Sequence, residues 1–143
     1  MLTEPLLKDL ADRCNTIEEC YEYMLAYAGQ GVTGDNGSGA QIRDFLSRAA
    51  AALTGLADAY EAAITREGLQ PAERYFAFLS VLARDAQDSF AAIELVLSQS
   101  KISSQLIDNL NASIHLRALL TDLFLMDEIL KAHQLSGKPA STM

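Results

Sequence analysis

The sequence has no tryptophan, and it has only two cysteines and two histidines among its 143 residues. Cys14 and Cys20 stand about 120° apart around a helix, so they do not predict a disulfide. Reduced cysteines are typical of the cytoplasm, and we expect both to pack as small buried apolar residues. The N-terminal segment carries an early acidic residue, Glu4, and no basic cluster, so it does not predict a secretory signal. We therefore predict a cytoplasmic protein.

Basic residues are scarce relative to acidic ones. The chain has 11 Lys and Arg against 19 Asp and Glu, a formal net charge of −8. Nucleic acids and anionic membranes both require a basic surface, so we expect neither as a partner, whereas a basic protein partner is favoured. A membrane span needs about 18 consecutive apolar residues, and the sequence has no such run. Glu18, Glu19 and Glu22 form an acidic cluster of the kind that usually lies on a solvated helix face.

Side chains that bind metals are few and are not spaced as in helical metal sites. A dimetal bundle needs Glu three positions before each of two histidines, but Ala112 precedes His115 and Leu130 precedes His133 at that spacing. The sequence also has no Cys-x-x-Cys and no His-x-x-x-His motif. We therefore predict no metal, no cofactor and no catalytic residues, and we expect His115 on the polar side of the last helix.

Hydrophobic residues make up 50% of the chain, and they recur mostly at spacings of three and four. This heptad spacing predicts helices that cross at about 20° with a left-handed supercoil. In the first helix the row consists of Leu7, Leu10, Cys14, Ile17, Tyr21, Met24 and Ala28. Gly68 and Pro71 mark a short turn between the second and third helices.

The predicted helices lie at about 3–28, 40–67, 71–97 and 103–134. Four helices with short turns favour an all-α fold, an up-down-up-down antiparallel four-helix bundle with left-handed packing. We expect a single domain over residues 1–135 and a flexible C-terminal tail over residues 136–143.

The last predicted helix has more apolar surface than one packed face can hide. Between Ile114 and Met126 the only clearly polar side chains are His115, Arg117, Thr121 and Asp122. Either this helix is the most deeply buried of the four, or a second copy of the chain covers the apolar residues that remain, Phe124 among them. We favour a homodimer.

Five of the eleven residues from 29 to 39 are glycine, so this segment predicts a loop. Asp35 adds negative charge, and the Gly-Lys-Ser/Thr ending of a phosphate loop is missing. We interpret the segment as a flexible connector, with a partner-binding or lid loop as the alternative. Tyr23 and Tyr27 lie just before it. Core packing is one interpretation of these tyrosines, and a partner contact or the mouth of a small pocket is the other.

These observations favour a non-enzymatic interaction protein, such as an adaptor, regulator or small chaperone, that works through its helix faces. The candidate partner- or ligand-binding residues are Tyr23, Tyr27, Asp35, His115 and Phe124. Two alternatives stay open: a bundle that binds a small molecule near the 29–39 loop, and an enzyme of an unrecognised type. A small-molecule protein predicts a closed cavity with a few polar groups, whereas an interaction protein predicts a large exposed apolar patch.

Overall fold

The computed structural model describes residues 4–33 and 38–142, with side chains over 5–33 and 39–133. Over these residues the protein is all-helical and contains no strand. Six helices follow one another along this part of the chain: α1 (Glu4–Ala28), α2 (Ser38–Leu53), α3 (Leu56–Glu67), α4 (Ala72–Leu97), α5 (Ser104–Ala112) and α6 (His115–Thr142). None of the described helices is both long enough and apolar enough to cross a membrane.

The ends of two helices match the sequence prediction closely. α1 and α4 begin one residue after the predicted positions and end at the predicted ones. α6 extends past residue 135, where the sequence predicts the domain to end. The flexibility of residues 136–143 stays a prediction.

The second predicted helix, at 40–67, is two helices in the structure. Thr54 and Gly55 separate α2 from α3, and Gly55 has a φ of 82°. Glycine adopts this left-handed backbone readily because it has no Cβ. Arg13 of α1 binds the backbone at the break. Its Nη1 donates to the carbonyls of Ala52 (2.9 Å) and Thr54 (2.6 Å) at the end of α2. The alanine-rich pattern continues through the break, so periodicity alone does not reveal it.

The fourth predicted helix, at 103–134, is also two helices. Ser113 and Ile114 separate α5 from α6, and Ile114 has a φ of 62°. α5 is anchored to the end of α1, where Nδ2 of Asn111 donates to the carbonyl of Met24 at 3.4 Å. α6 packs mainly along α4 and makes a smaller contact with α1. The break lets the two helices follow different neighbours.

α1 occupies the centre of the packing and contacts α2, α3, α5 and α6. Its predicted row is buried at Leu10, Cys14, Ile17 and Met24, and half-buried at Leu7, Tyr21 and Ala28. The other helices add buried side chains that include Ile42, Leu46, Tyr60, Leu82, Ile93, Ile107, Leu119 and Leu123. Burying an apolar side chain of this size stabilises the fold by roughly 1.5–3 kcal/mol. The predicted row of α1 therefore lies mostly within the core, and other helices pack around α1.

Cys14 and Cys20 are free and buried, as the sequence predicts. Burial away from water disfavours the thiolate and raises the pKa of each thiol to about 12. Both thiols therefore keep their protons at neutral pH and are poor nucleophiles.

Residues 29–33 of the predicted 29–39 loop are attached to the start of α5 through Val32, and α2 begins at Ser38, inside the predicted loop. The amide of Val32 donates to Oγ of Ser104, and the amide of Ser104 donates to the carbonyl of Val32, both at 2.8 Å. Oγ of Ser104 donates in turn to the carbonyl of Tyr27 at 2.6 Å. This half of the loop is therefore part of the packed structure rather than a free connector. Asp35 lies outside the described residues.

Candidate partner-binding groove

A groove runs along the surface between α1 and α6, and it consists of two adjoining hollows. The first hollow has a volume of about 430 Å³ and is lined by Glu18, Tyr21, Glu22, Leu25, Arg117, Leu120, Thr121 and Phe124. The second has a volume of about 370 Å³ and is lined by Leu7, Leu10, Ala11, Phe124, Asp127, Glu128, Leu130 and Lys131. Phe124 belongs to both hollows, so we treat them as one surface, the α1–α6 groove.

The walls of the groove carry large apolar side chains that contact water. Phe124 is 53% exposed and Leu25 is 51% exposed, whereas Leu10, Leu120 and Leu130 are buried. Removing apolar surface from water is favourable by about 25 cal/mol per Å², so a partner that covers these side chains gains binding free energy. Several half-exposed apolar residues within one groove are typical of a protein-binding surface.

A hollow of similar volume, about 400 Å³, lies beside the break between α2 and α3. Its larger apolar residues offer little surface, because Leu53 and Leu56 are buried and Phe90 is half-buried. The rest of its apolar lining consists of alanine and glycine together with the aliphatic parts of polar residues. The α1–α6 groove is therefore the stronger candidate for binding.

Charged side chains border the α1–α6 groove, and acidic ones outnumber basic ones. The acidic residues are Glu18, Glu22, Asp127 and Glu128, and the basic residues are Arg117 and Lys131. Four carboxylates against two cations leave the groove negative, as is the whole chain, whose formal net charge is −8. The groove therefore attracts positively charged groups.

A partly buried hydrogen-bond network holds one of these carboxylates. The hydroxyl of Tyr60, in α3, donates to Oδ1 of Asp127 at 2.7 Å. Sγ of Cys14 lies 3.4 Å from the same hydroxyl, and its thiol donates to the Tyr60 oxygen because the hydroxyl proton is already directed at Asp127. Burial raises the pKa of Tyr60 well above its usual value, so the hydroxyl stays a donor at neutral pH. The Asp127 carboxylate is therefore held in place at the edge of the second hollow.

The structure separates the predicted site residues into different regions. Phe124 lies at the centre of the α1–α6 groove. His115 is the first residue of α6 and is exposed, as expected for a histidine on a polar face. It does not line either hollow, so the structure does not bring it together with Phe124.

Tyr23 and Tyr27 pack against other parts of the molecule. Tyr27 is fully buried, and its hydroxyl donates to the carbonyl of Ile102. Tyr23 is half-buried and stacks on Phe45 of α2, with the ring centroids 4.3 Å apart. The burial of Tyr27 favours the core-packing interpretation over a partner contact or a pocket mouth. Neither tyrosine lines the α1–α6 groove.

The sequence assigns Glu18 and Glu22 of the α1 wall to a solvated helix face and does not predict that they line a groove. Glu18, Glu22 and Leu25 follow one another at spacings of four and three, so they share one helix face next to the buried row. The signal in the sequence for this wall is Leu25, a large apolar residue beside Glu18 and Glu22 on an otherwise polar helix face. The position of α6 opposite this face could not be read from the same pattern.

A second group of polar residues lies between α4 and α6. Burial, together with the neighbouring carboxyl of Asp85, raises the pKa of Asp122 to about 7. Oδ2 of Asp122 and Oγ of Ser89 are buried and have no hydrogen-bond partner among the described residues. The described chain contains no group of three or more His, Cys, Asp or Glu side chains placed to hold a metal ion. Asp122 therefore keeps its proton to a higher pH than an ordinary aspartate.

Comparisons of the chain with protein-family models, with curated proteins and with solved structures found no match. The function is therefore inferred from the groove itself, through its exposed apolar residues and its charge.

Proposed function

We propose that this chain is a non-enzymatic interaction protein whose α1–α6 groove receives a segment of a protein partner. The observation that carries the proposal is the position of Phe124, which is half-exposed where the two hollows meet. Exposed aromatic residues near the centre of a groove are typical hot spots of protein interfaces. Adaptors, regulators and small chaperones all work through surfaces of this kind.

We also propose how the six helices give rise to this groove. α2 with α3, and α5 with α6, would each act as one broken rod, so that four rods form an up-down-up-down antiparallel bundle. The buried row at Leu10, Cys14, Ile17 and Met24 supports heptad packing of α1. In such a bundle the first and last rods are neighbours, and the groove lies between them. The free, buried cysteines support a cytoplasmic location.

Photo-crosslinking in cells of the source organism tests the interaction. A photoreactive phenylalanine analogue replaces Phe124 in one variant and Phe76 in a matched control. Phe76 is an exposed aromatic residue of α4 that does not line the groove. Both variants keep an aromatic side chain, so we expect both to fold, which circular dichroism checks. We expect irradiation to link discrete proteins to position 124 and not to position 76.

The pattern of products decides the proposal. Identical products at both positions, or none at position 124 in a folded protein, would contradict a partner in the groove. Products at position 124 alone support it, and a product of twice the chain's mass there would identify the partner as a second copy.

A further inference from the structure

We infer that the occupant of the α1–α6 groove is an amphipathic helix of a second protein, with two apolar side chains about seven positions apart and Lys or Arg residues beside them. This inference rests on the proposed function and adds the chemistry of the partner. The spacing of the two hollows and the distribution of charge along the groove carry it.

The two hollows are spaced like two turns of a helix. α1 and α6 run antiparallel here, because residues 18–25 face 117–124 in the first hollow and 7–11 face 124–131 in the second. On α6, the residues that line the first hollow are centred about seven positions before those that line the second, which corresponds to about 10 Å along the helix. Residues i and i+7 of a helix lying along the groove span the same distance and point the same way. One apolar side chain can therefore enter each hollow, on either side of Phe124.

The carboxylates lie in the middle of the groove and the cations at its ends. Among the lining residues of α6, Arg117 comes first and Lys131 comes last, with Asp127 and Glu128 between them. On α1, both lining carboxylates belong to the first hollow, which adjoins this middle stretch at Phe124. A helix with basic residues beside its apolar stripe therefore meets opposite charge on both walls.

Asp127 is already positioned for such a contact. The Tyr60 hydroxyl holds it by a hydrogen bond to Oδ1, and a carboxylate can accept further hydrogen bonds from a Lys or Arg side chain. A group that is fixed before binding loses less conformational entropy when its partner arrives. The hydrogen bond from Tyr60 therefore favours a basic residue at this point of the partner helix.

The same charges disfavour the other occupants of an apolar groove. A second copy of this chain would bring four carboxylates and two cations against an identical set, on a chain whose formal net charge is −8. An anionic membrane surface or a nucleic acid would also be repelled. A basic helix is the occupant whose shape and charge both fit.

Binding of designed peptides tests the inference. The probe is a rhodamine-labelled peptide of about five helical turns, with leucines at i and i+7, lysines beside them and alanine elsewhere. One matched peptide has glutamate in place of every lysine, and another has its second leucine at i+5, on a different side of the helix. Fluorescence anisotropy measures affinity, and NMR chemical-shift changes locate the site. We expect the probe to bind in the groove roughly tenfold more tightly than either matched peptide.

Two double variants separate the charge of the groove from the charge of the whole chain. Glu18→Gln/Glu22→Gln removes two carboxylates from the groove, whereas Glu19→Gln/Glu61→Gln removes two exposed carboxylates that do not line it. At low salt we expect the first to weaken binding of the basic probe roughly three- to tenfold, because each charged contact contributes modestly. We expect the second to change the affinity little.

The outcomes distinguish this inference from the proposed function. Equal affinity for the basic and acidic peptides, or chemical-shift changes away from α1 and α6, would overturn the basic helix while leaving the groove as an interaction site. Failure of all three peptides to bind would also overturn it, and crosslinks from position 124 would then indicate a protein partner of another kind. Absence of those crosslinks removes the proposed function itself.

Discussion

At the scale of single residues, Ile114 combines two features that a β-branched residue rarely shows together. Its φ of 62° lies in the left-handed region, where the Cβ crowds the backbone at a cost of about 1–2 kcal/mol. Its side chain is 58% exposed. The residue joins two helix ends, because its amide donates to the carbonyl of Asn111 (3.2 Å) and its carbonyl accepts from the amide of Ala118 (2.8 Å). The flanking helices therefore hold the strained backbone, since burial of the side chain contributes little.

Replacing Ile114 by glycine should stabilise the protein. We expect Ile114→Gly to raise the free energy of unfolding by about 1 kcal/mol in urea denaturation, because relief of the strain exceeds the entropy that glycine adds to the unfolded chain. Ile114→Ala is the matched control, since it keeps the Cβ, and we expect it to change stability by less than about 0.5 kcal/mol. If glycine destabilises the protein more than alanine does, residue 114 is not strained and α5 and α6 form one continuous helix.

Burial of single residues could be predicted from the sequence only in part. The heptad row identifies Leu10, Ile17 and Met24 as core residues, because those positions repeat locally. Tyr27 lies outside that row and is buried, and its hydroxyl donates to the carbonyl of Ile102, 75 positions away in the chain. Phe124 could be named from the excess of apolar residues around it, but no local pattern reports which helix lies opposite.

At the scale of helices, the ends are predictable where glycine and proline mark them. α3 ends directly before Gly68, whose φ is 60°, and α4 begins directly after Pro71. Gly55 is a similar signal that an alanine-rich helix pattern hides. Ile114 gives no such signal, because isoleucine disfavours the left-handed backbone. The attachment of Val32 to α5 depends on a distant serine, so composition alone predicts only a loop.

The contact between α4 and α6 contains a carboxyl pair that makes stability depend on pH. The pKa of Asp122 is about 7 in the folded protein, against an ordinary value of 3.8. Between these two values the folded state holds a proton that the unfolded chain releases, so stability falls as pH rises from about 4 to about 7. Above this range Asp122 is ionised beside Asp85, and the contact between the two helices is at its weakest.

Removing the charge of Asp122 should therefore stabilise the protein only at higher pH. We expect Asp122→Asn to raise the free energy of unfolding by about 1 kcal/mol at pH 8, a gain limited by solvent screening because the side chain is half-buried. At pH 5 we expect little change, since Asp122 is already protonated there. Asp88→Asn, which removes an exposed carboxylate from α4, is the control in urea denaturation at both pH values. An equal effect of Asp122→Asn at the two pH values would rule out the raised pKa of Asp122.

At the scale of the whole molecule, the sequence predicts the fold class and the character of the surface, but not the place of the site. The all-helical fold follows from local periodicity and is confirmed. The chain has 19 acidic and 11 basic residues, and the α1–α6 groove likewise carries a negative charge. The groove itself depends on the first and last described helices lying side by side, which the path of the whole chain decides.

Self-association through the same groove stays a prediction, and its dependence on salt differs from that of a basic partner. Two copies gain by covering Phe124 and Leu25, but they bring like charges together. Salt screens this repulsion, because the Debye length falls from about 30 Å at 0.01 M to about 3 Å at 1 M. Only some salts, such as sulfates, also strengthen apolar association. With sodium chloride the main effect is therefore the screening of repulsion. Dimerisation should therefore strengthen with salt, whereas binding of a basic helix should weaken.

Sedimentation velocity across a range of sodium chloride concentrations measures this difference. We expect the fraction of dimer to be greater at about 1 M than at about 0.01 M, because the repulsion between carboxylates is then screened. Phe124→Glu should abolish the dimer, since it places a charge at the centre of the covered surface. Phe76→Glu makes the same change at an exposed position of α4 outside the groove, and we expect it to leave the dimer intact. A monomer at every salt concentration would end the homodimer prediction, and a dimer that survives Phe124→Glu would have to form through a different face.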